Sequence, residues 1–245
     1  MTTDQSFNFI FFLSLGILCF EIYWFLNNSP KINLFKNIGD HDKREKTKFY
    51  FDKISGFFIL GFIPFVASLL FAKMDTIAFF TDMYIVDSWS AFLFWFVFIS
   101  ALSIPINLYI GRTKSNLAQY PQMRLTKWKS LDIRQYFGAW TIYLFGYEIL
   151  FRALLFFPFI DILGLWPAII LNTVLYSATH IQKGINESLG SIPFGLAVTY
   201  ACYASGSIWI AFITHITVCF VNNGIALKYN PGMEIVKGKP ATETK

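Results

Sequence analysis

Seven stretches of this chain approach the roughly 20 apolar residues that an α-helix needs to cross about 30 Å of hydrocarbon. They are Asn8–Leu26, Ser55–Phe71, Ala91–Ile110, Tyr136–Phe159, Trp166–Ile181, Leu189–Ala204 and Ser207–Ala226. A bilayer core offers the backbone no water, so a chain patterned this way must satisfy its own N–H and C=O groups within helices. The expected fold is therefore an all-α integral membrane protein, a bundle of about seven transmembrane helices. An eighth would require Thr76–Trp89, which Asp82 and Asp87 interrupt. Composition agrees: 55% of the residues are hydrophobic and 14% charged, against about a quarter charged in soluble domains. The net charge of +5 does not call for nucleic acid, because the Lys and Arg residues flank apolar runs, where membrane topology accounts for them.

Those basic residues set an expected orientation. Lys31, Lys36, Lys43, Arg44, Lys46, Lys48 and Lys53 lie between the first two stretches, and Arg112, Lys114, Arg124, Lys127, Lys129 and Arg134 between the third and fourth. Lys228, Lys237, Lys239 and Lys245 fall in the tail, while Asp75, Asp82, Asp87 and Asp161 mark the intervening loops. Positive charge collects on the cytoplasmic side, which places the N-terminus outside and the C-terminus in the cytoplasm of a multi-pass cell-membrane protein. The first apolar run has no small-residue cleavage pattern after it and reads as a membrane helix, not a removable signal. Cys19, Cys202 and Cys219 lie in apolar segments and make no disulfide framework or CxxC pair. The basic, apolar-interleaved loop 113–135 suits either the lipid surface or partial solvation. Gly190, Ser191, Gly195, Ala197, Ala201 and Ala204 offer the sixth stretch close helix contacts and a central place. The chain divides into N-terminal helices with two basic loops over 1–135, a core over 136–226 and a polar tail over 227–245.

Within the core, a few ionisable residues stand out. Charges at the centre of a membrane helix cost roughly 2.5–3.5 kcal/mol each on insertion scales and tend to mark function. Glu148 and Arg152 are four residues apart, one helical turn, inside an unbroken apolar run. At about 1.5 Å per residue, Glu148 and His215 reach similar depths, about 18 Å from the cytoplasmic face, and His180 lies about 9 Å from it. Plainer roles exist for each: His180 near a helix C-terminus, Glu187 at a helix N-terminus, Lys183 as an interfacial anchor, and Glu148–Arg152 as a structural ion pair.

The order and spacing of these residues resemble the motifs of the CAAX prenyl protease and bacteriocin-processing family of intramembrane proteases, also called the Abi family. Its Glu-Glu-x-x-x-Arg, Phe-x-x-x-His and His-x-x-x-Asn motifs are matched by Tyr147-Glu148-Ile-Leu-Phe-Arg152, Tyr176-Ser-Ala-Thr-His180 and His215-Ile-Thr-Val-Cys219. The resemblance covers roughly Tyr136–Ala226. Tyr147 stands where the family has the Glu that, with the first His, activates water; Cys219 stands where it has the Asn that helps hold the oxyanion. The run His180-Ile-Gln-Lys183-Gly-Ile-Asn-Glu187 is similar to a His-x-x-Lys-x-x-x-Glu run found in some branches.

The resemblance implies a peptidase acting on a peptide or small membrane protein in the lipid bilayer. Peptide hydrolysis needs a base for water and a donor for the tetrahedral oxyanion. Glu148 is the expected base, Arg152 orients it, His180 shares the proton, and His215 donates to the oxyanion. Glu187 is the alternative base, since Glu148 is turned toward Arg152. No cofactor is expected; a zinc set of Glu148, His180, His215 and Cys219 is chemically reasonable but does not follow HExxH spacing. Two other functions are open from the residues: a catalytically silent relative acting as an immunity or partner-binding membrane protein, and a transporter or proton relay.

Overall fold

The computed structural model describes residues 1–29, 34–181 and 184–236, residue 186 by its backbone only. Lys31, Lys183, Lys237, Lys239 and Lys245 lie outside the described residues. In chain order the helices are α1 (Thr3–Asn28), α2 (His41–Phe57) continuing through a π turn (Phe58–Phe62) into α3 (Ile63–Phe71), then α4 (Thr76–Tyr84), α5 (Trp89–Ile110) and α6 (Lys114–Gln119). A short strand β1 (Lys127–Lys129) leads into α7 (Ser130–Glu148), a second π turn (Ile149–Leu154) and α8 (Phe157–Leu163). α9 (Leu165–Ala178), α10 (Ile185–Ser205), α11 (Trp209–Tyr229) and β2 (Glu234–Val236) complete the chain.

Five helices among the described residues are long and apolar enough to cross a membrane: Thr3–Asn28, His41–Phe71, Trp89–Ile110, Ser130–Leu163 and Trp209–Tyr229. The other two expected spans fall outside that set for different reasons. α9 has 14 residues, a rise of only about 21 Å. α10 has the length, 21 residues, but Glu187, Ser188, Gly190, Ser191, Gly195 and Thr199 dilute its apolarity. Thr76–Trp89 yields only the nine-residue α4, too short to span.

The second span differs from its expected boundaries. Helix begins at His41, capped by the Asp40 side chain on Lys43 N at 2.6 Å, because the polar run Asp42–Lys48 is itself a good helix former. Lys43, Arg44, Lys46, Lys48 and Lys53 therefore stand on helix and not in a loop. Lys53 is buried, 2% exposed. The loop 113–135 buries part of its apolar side against the bundle. Met123, Leu125 and Trp128 turn inward onto Phe49, Tyr136 and Trp140, Tyr120 is buried as well, and β1 pairs in parallel with β2. Lys127 and Lys129 remain outside.

The enclosed centre of the bundle is Ser130–Leu163, 78% of whose most apolar window is buried, against 11–44% for the other four spans. α10 packs on α9 and α5, with Gly195 against Tyr176, yet Gly190 faces open space. α7 is central because neighbouring backbone reaches it. A Cβ on Gly61 would lie 2.6 Å from Gly146 Cα, and one on Gly146 would lie 2.9 Å from Phe57 Cα. Gly146→Ala should therefore push α2 and α7 apart and cost about 1–3 kcal/mol, as overpacking does. Gly138→Ala, on the same helix with nothing within 4 Å, should be neutral or stabilising by under about 1 kcal/mol. Thermal unfolding in detergent distinguishes the two.

Candidate functional site

The site forms where the central helix changes its winding. After Glu148 the chain enters the π turn, closed by Leu155 N donating to Leu150 O at 3.0 Å. Such turns tend to occur at functional sites, because the extra residue per turn re-aims side chains. Everything from Ile149 to Leu154 is buried, so Arg152 has no route to water and must find partners inside.

Glu148 is 0% exposed and held from two sides. Oε1 lies 2.6 Å from His215 Nδ1 on α11. Oε2 lies 3.1 Å from Arg152 Nε, an ion pair without hydrogen-bond geometry. Since an ionised carboxylate only accepts, His215 donates from Nδ1, and Nε2 becomes the ring's lone-pair nitrogen. Arg152, also 0% exposed, donates through Nη1 to Asn172 Oδ1, and its guanidinium lies 5.1 Å over the Tyr176 ring. Tyr147, one residue before Glu148, is turned about 100° around the helix, and its ring lies 5.7 Å from that of His215. Its hydroxyl meets Thr179 Oγ1 at 2.9 Å.

His180 stands just past the end of α9. Its Nδ1 is 3.0 Å from Tyr176 O and 3.2 Å from Thr179 Oγ1. The carbonyl can only accept, so Nδ1 carries a proton in that bond. His180, His215, Tyr147 and Thr179 all border one cavity of about 190 Å³, ample for water. Its lining continues through Tyr23, Asp52, Lys53, Gln122 and Tyr143. There the Lys53 ammonium bonds Asp52 Oδ2 and Gln122 Oε1, each at 2.7 Å, and sits 3.7 Å over the Trp140 ring. Asp52 also accepts from Tyr23 Oη at 2.7 Å. Asn28, Asp52 and Gln122 are shared with a wider cavity of about 590 Å³ that Lys36, Arg44 and Lys48 border.

Of the expected site residues, Glu148, Arg152, His180 and His215 come together, but Glu148 is sealed behind His215 and does not border the cavity. Glu187 does not border it either. It accepts from Tyr120 Oη at 2.7 Å, a side chain brought by the folded segment after α6. Burial, and then the Glu187 carboxylate, hold the Tyr120 phenol well above its usual range, so it stays a donor. Cys219 is spoken for by Asn223, whose Nδ2 reaches its Sγ at 3.3 Å. Among the described residues no group of three or more His, Cys, Asp or Glu could hold a metal ion, so the four-residue zinc set is not assembled. Asn172, Thr179, Asp52 and Lys53 were not expected here. Asn172 had a signal: with Tyr176 and His180 it makes an i, i+4, i+8 stripe. Asp52 and Lys53 had none, being two more charges in a basic run.

Residues 129–221 match the family model described as type II CAAX prenyl endopeptidase Rce1-like. That segment runs from the end of β1 through most of α11 and contains Tyr147, Glu148, Arg152, His180 and His215. The match is confined to that part of the chain and agrees with the resemblance carried by the three motifs. Comparisons with curated proteins and with solved structures found no match.

Removing one member of a buried ion pair leaves the other charge uncompensated, at a typical cost of 3–5 kcal/mol. Arg152→Met should destabilise the protein by about that amount, and the double variant Glu148→Gln/Arg152→Met by less than Arg152→Met alone. Chemical or thermal unfolding of all three variants in one detergent checks this.

Proposed function

We propose that this chain is an intramembrane peptidase of the Rce1-like type, hydrolysing a peptide bond of a membrane-associated peptide or small membrane protein. The observation that carries the proposal is the Glu148–His215 pair at 2.6 Å, whose imidazole borders a cavity that His180 shares. The roles differ from those expected. Glu148, fully enclosed, orients His215 and stabilises its imidazolium. His215 Nε2 takes the proton of a cavity water as that water attacks the substrate carbonyl. Tyr147 Oη, which keeps its proton and can turn from Thr179, donates to the developing oxyanion. His180 gives a proton to the departing amine. The substrate enters from the cytoplasmic side through the wider cavity bordered by Lys36, Arg44 and Lys48. This follows from the orientation proposed on the charge pattern, with the N-terminus outside and the C-terminus in the cytoplasm.

A second reading is favoured by one specific observation. The position next to Glu148 that faces the cavity is Tyr147, not a carboxylate, and a cavity of this shape without an active base would serve as a binding site in a silent, partner-binding protein.

Purified full-length protein in liposomes, incubated with a library of membrane-inserted peptides, decides between the two. Cleavage is expected, with His215→Ala and Glu148→Gln each lowering kcat by a hundred-fold or more, the range usual for a general base. Glu187→Gln should leave the rate within about three-fold, since its carboxylate is turned to Tyr120. Peptide binding without cleavage by the unaltered chain would establish the silent reading instead.

A further inference from the structure

The residues that hold Glu148 and Arg152 are themselves held by α9, and that second layer ends on a single side chain. Asn172 is 0% exposed and does not border the cavity. Its amide Nδ2 donates to Phe151 O at 2.6 Å and to Leu155 O at 3.3 Å, two carbonyls at the π turn. Its Oδ1 accepts from Arg152 Nη1 and from Thr199 Oγ1 at 3.1 Å, the latter hydroxyl shared with Gly195 O at 2.6 Å. One amide thus fixes both the backbone of the π turn and the guanidinium that the turn carries.

We propose that Asn172, seated by Thr199 of α10, is a positioning residue for His215. It holds Arg152, Arg152 holds Glu148, and Glu148 sets the orientation and tautomer of the imidazole. Each joint follows from how the groups are satisfied. A buried guanidinium has five N–H donors in a rigid fork, and the Arg152 Nη2 and Nε groups already stand without hydrogen-bond partners among the described residues. Losing the Asn172 acceptor would leave the third nitrogen, Nη1, without that partner as well, and the fork would swing to recover one, toward Glu148. The carboxylate has one further partner, His215, and its share of that bond falls as Arg152 draws it away. The π turn would loosen at the same step, because Phe151 O and Leu155 O lose their donor. Polar groups with no water to replace a lost partner move together, so a substitution two joints away is felt at the imidazole. This rests on the reading of His215 as the base, but the coupling itself can be tested without any substrate.

The chain has three histidines, His41, His180 and His215, which makes histidine-labelled NMR of the full-length protein in detergent tractable. In the unaltered protein His215 should show a strongly downfield Nδ1 proton, the signature of a short bond to a carboxylate, and His41 serves as the exposed internal reference. Asn172→Leu should abolish that signal, lower kcat ten-fold or more and leave KM within two-fold. Thr199→Val, a near-isosteric change that keeps Asn172, should shift the same proton without abolishing it, while Thr199→Ser retains the unaltered spectrum. Thr199→Val also serves as the readout if Asn172→Leu does not fold. A merely structural Asn172 would lower unfolding temperature with the His215 proton unmoved in every folded variant, and that result overturns the proposal. Should the proton respond as stated while no peptide is cleaved by the unaltered chain, the brace stands and the peptidase reading falls.

Discussion

A carboxylate with no access to water governs this structure. Transferring Glu148 from water to the centre of the bundle carries a penalty of several kcal/mol even after relaxation, and it is offset only by partners placed to within hydrogen-bond tolerance. Arg152 and His215 are those partners. Because they come from the π turn and from α11, the ion pair obliges two parts of the chain that are distant in sequence to hold a fixed relation. The rest of the core can be read as what keeps that relation rigid. Gly61 and Gly146 let backbones approach, Asn172 braces the turn, and Tyr176 lies beneath the guanidinium.

The same constraint explains how the site divides labour. Burying Glu148 gives it a role in orientation and denies it contact with water. Of the groups on the cavity wall, Thr179 and His180 stand at a helix end and Tyr147 one residue off the ion-pair stripe, where a side chain can be supported by the bundle and still border open space, while His215 links the buried pair to the cavity. The part of the lining that α2 supplies uses a different device. There Lys53 and Asp52 neutralise one another, and the ammonium is covered by the Trp140 face, an arrangement in which a charge lines a cavity without being solvated.

Much of the architecture was legible in the residues. The apolar runs mark the helices, of which five among the described residues are long and apolar enough to cross a membrane. The Glu148–Arg152 spacing and the three motifs locate the site along the chain, and residues 129–221 carry the Rce1-like family match. Basic residues were harder to read. Lys53 looks like its neighbours in a positively charged segment, and nothing local distinguishes a lysine that faces Trp140 from one that faces water. The loop 113–135 has the alternation of a surface-seeking segment, yet its apolar side meets Phe49 and Tyr136 because β2, more than a hundred residues later, pairs with β1.

By itself the sequence determined that the chain is helical in lipid and that Glu148, Arg152, His180 and His215 belong to one region. Hydrophobic length, the cost of a buried charge and helical periodicity act over a few turns and can be counted along a string. Tertiary structure alone decided which of those groups border the cavity, that Glu148 is sealed behind His215, that Glu187 is taken by Tyr120, and that α2 supplies part of the lining. Those outcomes depend on which side chain of one helix meets which of another, and such pairings are set by the packing of the whole bundle.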